Sequence, residues 1–508
     1  MKLRLRSSLS LFYFMKTLFL LFFATLLSAG SLRWNEYDLN DLLDAIDDPL
    51  INYRHLDYNG TKIRSCLLEN DRNCSKEPQI LHIAAEAYLA LCKEADLGMI
   101  DWRAFEKRKK DTNKSALIWE YRKRPFSCKR GLKRALRSHK IHASLKRLLP
   151  KEPGFAPLVE AYRRMAEIAE VGGFPRVSYD KEGKILSIGA KSPRVAELKK
   201  YLAATGDLNI TNRDYLEDPF FDENLRGALI RFQKRHYLKN RGVLDNVTVL
   251  YTRITAREKL EKIALNIERY KLFRPIRSKT YLLVNVPAFS LKFYQEGEFV
   301  DDLFVVVGRE DRPTPIFDDR LEYIVLNPTW SVPQNLLRRD YLPKLAEDPH
   351  TLDGMFDFYL GDKKIDPAQI NWKRYLKHNL TVPVRLTQPS GEKNVLGRMK
   401  FIFPNRYHIY LHDTDAKQLT DDRYRLYSSG CIRLHDPYKL LSLLAPFTRI
   451  GFERMVEIIE SGRTARVSLK RKIPIHIRYY TAFVDEEGVL NFRRDFYGYD
   501  ALQKLSLP

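Results

Sequence analysis

The chain has 508 residues, 44% of them apolar, which excludes a disordered or fibrous protein and is enough for about three globular domains. Its formal net charge of +23 calls for an anionic partner, and charge alone does not choose among nucleic acid, a membrane surface and an acidic polymer.

The N-terminus makes that choice. Met1 to Gly30 has a basic start (Lys2, Arg4, Arg6), an apolar run from Leu18 to Leu27 preceded by Lys16, and the small residues Ser28-Ala29-Gly30. This is the layout of a secretory signal peptide cleaved after Ala29 or Gly30, and a start at Met15 gives a still more compact one. The alternative is an uncleaved anchor, which would add membrane association; Leu9 to Leu27 is nearly long enough to span a bilayer, but Lys16 interrupts it. Export to the periplasm or cell envelope of a bacterium sets nucleic acid aside and favours a carboxylate-rich wall polymer.

Cysteine usage agrees. Cys66, Cys74, Cys92 and Cys128 lie in the first third, and Cys431 stands alone far downstream. In an oxidising compartment four cysteines pair into two disulfides, with three connectivities open. A metal site among them, with His55 or His82, is the rival reading, but their spacings match no common zinc pattern. Residues 31–180 read as a helical scaffold: Gln79 to Leu97 and Pro157 to Val171 repeat apolar residues at helical intervals. Between them, Arg122 to Lys151 is strongly basic and reads as one helix with a solvated face, Leu132, Ala135, Leu145 and Leu148 turning inward. Residues 181–256 form a small unit, with Val195, Leu198 and Leu202 on one helix face, Leu225, Ala228, Leu229 and Phe232 on a second, and a short third helix beginning near Asp245. A linker helix occupies 257–278.

From Lys279 to the end the chain reads as a mainly β domain. Strand-forming runs break at Pro287 and at Glu296-Gly297, and EYIVLNPTWSVP, GRMKFIFPN and YHIYLHDT follow. Residues 334–385 interrupt the strands with an insertion long enough to act as a lid, and Trp330 stands just before it, either lining a channel or packing in a core. After the insertion, Tyr410 and His412 share one face of a strand while Ile409 and Leu411 take the other. A loop then leads through Ser428-Ser429-Gly430 into Cys431. RMVEIIESGR reads as a helix, and a last strand pair turns at Glu487-Gly488. The fold class expected is multidomain α+β.

The His412 and Cys431 pair makes chemical sense. A free thiol ionises near about pH 8.5, and an adjacent imidazole that takes the proton holds the thiolate by charge. Gly430 lets a carbonyl approach the backbone, and N–H groups around Gly430 and Cys431, with the Tyr410 hydroxyl, are candidate donors to an oxyanion. The backbone carbonyl of Asp413, rather than its carboxylate, is the candidate to orient His412. Arg433 and Ser429 are candidate substrate contacts, Arg433 equally a structural ion pair. His408, His435, Asp495 and Asp500 read as structural.

A strand His, a loop, then S-x-G-C-I-R, with Cys431 19 positions after His412, resembles the L,D-transpeptidases with the YkuD-type catalytic domain. The common form has a His before the Gly; this chain has Ser429, like the larger periplasmic members of the YcbB type. SPRVAELKKYLAATGDL followed by DENLRGALIRFQKRHYLKNRGVLDNVTV looks like a three-helix peptidoglycan-binding domain, and the insertion resembles the capping subdomain of the larger members. The resemblance covers about Val159 to Asp500. It implies a β-sandwich catalytic domain with the active turn at one edge, and peptidoglycan stem peptides as substrates. It also implies that Cys431 attacks the third stem residue with release of D-alanine, giving 3-3 cross-links after attack by a second stem. No metal or cofactor is called for. Rival readings are an L,D-carboxypeptidase, in which water resolves the acyl-enzyme, and a wall-binding scaffold without catalysis.

Overall fold

The computed structural model describes residues 33–69, 73–121, 126–210, 212–273 and 276–503. The signal-peptide region 1–30 and residues 122–125 of the basic section lie outside them. Among the described residues no helix is long and apolar enough to cross a membrane. The chain forms two compact units, one of Met1–Met99, Arg122–Arg164 and Tyr270–Pro275, the other of Ile100–Tyr121, Met165–Arg269 and Ile276–Pro508. These units cut across the sequence-based boundaries, because Ile100–Tyr121 folds with the C-terminal sheet. Trp119 forms a parallel bridge with Ile316, the Glu120 N–H donates to the Ile316 carbonyl at 2.8 Å, and Lys114 Nζ donates to the Tyr497 carbonyl at 2.9 Å.

The first unit is helical. Glu36–Asp47 opens with a capping box in which Asn35 and Asp38 each satisfy the other's backbone N–H. Pro78–Leu97 is its long helix, burying Ala84, Tyr88, Leu91 and Cys92 on one stripe. Disulfides join Cys66 to Cys74 and Cys92 to Cys128, so these sulfurs are not available as metal-binding thiolates. The basic section is two helices, Cys128–Ser138 and Ile141–Lys146, where the sequence suggested one. His139 takes a left-handed conformation, φ +50°, which ends the first helix.

In the second unit, helices Pro193–Ala204, Glu223–Arg235 and Asn246–Thr252 start at Ser192, Asp222 and Asp245, whose side chains accept the exposed N–H groups. Val195, Leu198, Leu202, Leu225, Ala228, Leu229, Phe232 and Val249 are fully buried in one core. The helix Ala256–Lys271 follows.

The strands are β1 (Tyr281–Asn285), β2 (Ser290–Gln295), β3 (Glu298–Gly308), β4 (Asp318–Leu326), β5 (Trp330–Ser331), β6 (Asp357–Leu360), β7 (Lys363–Lys364), β8 (Val384–Gln388), β9 (Met399–Ile402), β10 (Leu411–His412), β11 (Leu426–Ser428), β12 (Ile432–Leu434), β13 (Ala465–Arg478), β14 (Ala482–Val484) and β15 (Leu490–Phe492). The turns at Glu296-Gly297 and Glu487-Gly488 are hairpins between β2 and β3 and between β14 and β15. Nine strands join in the order β11-β3-β12-β10-β9-β4-β13-β1-β2, and β2 also pairs with β3. The sandwich of two sheets implied by the resemblance is therefore one sheet closed on itself. Register shifts on the β2–β3 and β13–β4 ladders let the long strands bend and close it.

The insertion has a separate sheet, β5-β8-β6-β7, and a separate core that runs from Trp330 to Leu396. It is thus wider at both ends than residues 334–385, since β5 and β8 pair across its base.

Candidate active site

The short strand β10 lies between β9 and β12, with Leu411 fully buried opposite Phe401 and Ile432. His412 is opposite Lys400 on β9 and Arg433 on β12. Directly opposed residues share a face of the sheet, so two cations flank the imidazole. Tyr410 shares that face too: its ring centroid is 5.5 Å from that of His412. Residues before Leu411 are not strand, because His408 turns the chain with φ +56°.

His412 is buried, and its Nδ1–H donates to the Asp413 carbonyl. The Asp413 carboxylate instead accepts from the Arg398 N–H at 2.8 Å and from Lys417 Nζ. Of the two groups that Asp413 offers, the carbonyl is therefore the one that orients the ring, and it leaves Nε2 as the basic nitrogen. Burial first, then the Arg433 and Lys400 charges, hold the imidazole well below its usual pKa.

Cys431 is free and partly accessible, although protein atoms crowd it as they do an interior group. It follows the turn immediately before β12, and the Ile432 N–H donates to the Tyr410 carbonyl at 3.1 Å. Burial raises the thiol pKa; the Tyr410 backbone, the Lys400 ammonium, the Tyr410 hydroxyl and the Arg433 guanidinium pull it back. Burial thus works against the charged form of both groups at rest. Among the described contacts Cys431 and His412 share no hydrogen bond; Sγ lies 3.8 Å from the His408 carbonyl and against Tyr410.

The turn has its own braces. Ser428 Oγ donates to the Cys431 carbonyl and accepts the Gly430 N–H at 3.1 Å. The Gly430 N–H, a candidate oxyanion donor from the sequence, is thus already engaged. Glycine is needed there for conformation, with φ +110°. Ser429 is exposed, and its Oγ accepts from Arg312 Nη1 at 2.9 Å. Arg433 is largely buried, with Nε lacking a hydrogen-bond partner among the described residues. Trp330 is only 8% exposed, packed in the insertion's core, and Tyr410 packs against that same core. Trp330 is thus a core residue of the insertion, the packing alternative of the two. His435 Nδ1 is hydrogen-bonded to Thr420 Oγ1. Asp495 accepts from the Tyr479 hydroxyl, and Asp500 pairs with Arg269.

Lys400 and Arg312 were missed in the sequence. Lys400 Nζ sits 3.9 Å from the centroid of the Tyr410 ring, a cation–π contact beside the thiol. Its alternation in MKFIF puts it opposite Met399 and Phe401 across the strand, yet its nearness to Cys431 becomes visible only once β9 is paired with β10. Among the described residues no cluster of three or more His, Cys, Asp or Glu side chains is placed to hold a metal. A cavity of about 370 Å³ lined by Gly172–Val177 and Thr252–Ala256 shares no residue with this site.

Residues 279–458 match the family model of the L,D-transpeptidase catalytic domain, YkuD. A Haemophilus influenzae protein named as a candidate L,D-transpeptidase is 30% identical over 243 residues, 47% of this chain and 48% of that protein. The chain thus spans about half the length of that relative. An L,D-transpeptidase structure from Mycobacterium smegmatis is 13% identical, covering 39% of this chain and 58% of its own, with a TM-score of 0.20. One from Xylanimonas cellulosilytica is also 13% identical, covering 58% and 98%, with a TM-score of 0.16. TM-scores of this size support no inference. Cys431, His412 and their neighbours all fall within the segment, residues 279–458, that matches this model of the YkuD-type L,D-transpeptidase catalytic domain.

Proposed function

We propose that the protein is an exported L,D-transpeptidase that forms 3-3 cross-links in peptidoglycan. The observation that carries this reading is the free Cys431 set against Tyr410, one strand from a buried His412 whose Nδ1 is already committed. In the reaction, rotation about the Cys431 side chain brings Sγ to His412 Nε2, which takes its proton as sulfur attacks the carbonyl of the third stem residue. The Tyr410 hydroxyl donates to the oxyanion. Collapse breaks the amide bond, His412 returns the proton to the leaving D-alanine amine, and a thioester remains. The side-chain amine of a second stem loses a proton to His412, attacks the thioester and frees the thiol. Arg433, beside His412 on β12, is the candidate partner for a substrate carboxylate.

Export is supported by the paired Cys66–Cys74 and Cys92–Cys128 beside a single free cysteine. The bundle around residues 181–256 is assigned to wall binding and the insertion to a cap over the site. The test is incubation of the protein and its Cys431→Ala variant with disaccharide-tetrapeptide, followed by mass spectrometry of protein and muropeptides. Cross-linked dimers from the unaltered protein alone support the reading. Tripeptide without dimers replaces it with a carboxypeptidase, and wall binding without adduct or product leaves a scaffold.

A further inference from the structure

The insertion and the nucleophile turn meet at Arg312, in the loop between β3 and β4. The loop is pinned beneath the turn: the Gly308 N–H donates to Thr314 Oγ1 at 2.9 Å, and Thr314 Oγ1 donates to the Gly430 carbonyl at 2.9 Å. A Cβ on Gly308 would come within 2.2 Å of the Arg312 carbonyl oxygen, so only glycine admits this return of the chain. From there the guanidinium reaches in two directions. Nη1 lies 2.6 Å from Asp340 Oδ2 and 2.9 Å from Ser429 Oγ, while Nη2 meets Asp340 Oδ1. This is a bidentate fork, with 11% of the Arg312 side chain and 34% of the Asp340 side chain exposed.

Asp340 belongs to the insertion. It sits in a π-helical turn, Leu337–Tyr341, a geometry that widens the helix by one residue and recurs at functional sites. The same turn brings the next residue, Tyr341, within electrostatic reach of Arg433. The insertion has its own sheet and core; Tyr410 packs against that core, and the fork adds a separate, polar contact between insertion and turn.

We propose that Arg312 is a positioning residue that couples the seating of the insertion to the aim of Cys431. With Asp340 on the guanidinium, Ser429 is fixed and the Gly430-Cys431 peptide behind it is held. With Asp340 withdrawn, the turn is released. The proposal rests on Cys431 being the nucleophile.

The experiment uses the full chain with Asp340→Asn, Arg312→Gln, the two combined, Asp340→Glu and Ser429→Ala. Two readouts are taken: turnover of disaccharide-tetrapeptide, and the rate at which iodoacetamide alkylates Cys431. Each single neutralising change is expected to lower kcat at least tenfold with KM within twofold, and to raise alkylation at least threefold. The double variant should be no worse than the worse single one, and Asp340→Glu should recover most of the rate. Ser429→Ala leaves the ion pair intact and should reproduce the alkylation change, which keeps the test decisive if a charge variant fails to fold. The proposal is overturned if the single changes leave both readouts within twofold, if their losses multiply, or if Ser429→Ala alkylates like the parent. Should the parent make no Cys431-dependent product, the functional reading fails, and alkylation alone decides the coupling.

Discussion

Two histidines in the second unit are built almost alike. His236, in the core of the helical bundle, bonds through Nδ1 to the Phe232 carbonyl at 2.9 Å; His412 bonds through Nδ1 to the Asp413 carbonyl. Both are buried, and burial together with nearby cations drives both well below the ordinary imidazole pKa. What differs is the surroundings of the ring. His236 stacks against Phe492 and lies tilted on Phe232, and its Nε2 is buried with no hydrogen-bond partner among the described residues. His412 has Tyr410 beside it, and Cys431 precedes the strand next to its own. A perturbed, buried histidine is therefore no mark of chemistry by itself; the group that its second nitrogen can reach decides.

The largest effect expected is at the thiol. Cys431→Ala should remove dimer formation to the limit of detection, a loss of about 10⁴-fold or more, read by separation of muropeptides. Next, His412→Ala should lower kcat by roughly 10²- to 10⁴-fold while His236→Ala leaves it within threefold. His236→Ala should instead cost about 3 kcal/mol of stability, as large-to-small changes in a core do, measured by denaturant unfolding. Equal kinetic losses at the two positions would break the comparison.

Lys400→Met sharpens it. The ammonium lowers the pKa of the Cys431 thiol, so its removal should push that pKa higher and slow alkylation of Cys431 at about pH 7.5. A pH profile of alkylation that does not move would remove Lys400 from the site.

The smallest effect is one that the two histidines share. Each is neutral when folded and takes up a proton on unfolding, so stability is fully present above about pH 6.5 and falls as pH drops. Each contributes a slope of up to about 1.4 kcal/mol per pH unit. His236→Gln should flatten the slope by one proton in urea titrations between pH 7.5 and 5, without shifting the pH dependence of kcat.

The residues that share a short stretch of chain were legible in the sequence. Tyr410 and His412 alternate onto one face, Ser428-Ser429-Gly430 delivers Cys431, and the hairpins at Glu296-Gly297 and Glu487-Gly488 carry their own turn signals. Caps such as Ser192, Asp222 and Asp245 announce their helices. Lys400, Arg312 and Asp340 were not legible, because each meets the site through strand pairing or a loop return that no local pattern encodes. Trp330 was half legible: its place beside the insertion was clear, but its burial in a core that Tyr410 also packs against required the fold of that insertion. The break at His139 was hidden for a different reason, since a left-handed residue interrupts a helix without disturbing the spacing of apolar residues on either side.

Residues 100–121 carry a consequence for any attempt to cut the protein into parts. The chain leaves the first unit at Met99, supplies a helix and a bridge to Ile316 in the second, and returns at Arg122. A fragment starting at residue 279 would match the family model, yet it would lose the Lys114 bond to Tyr497 and the Arg269 partner of Asp500. The two units cannot be exchanged like beads on a string. Their sequences are interleaved, and a fragment that is to retain these contacts must keep the excursion along with the sheet.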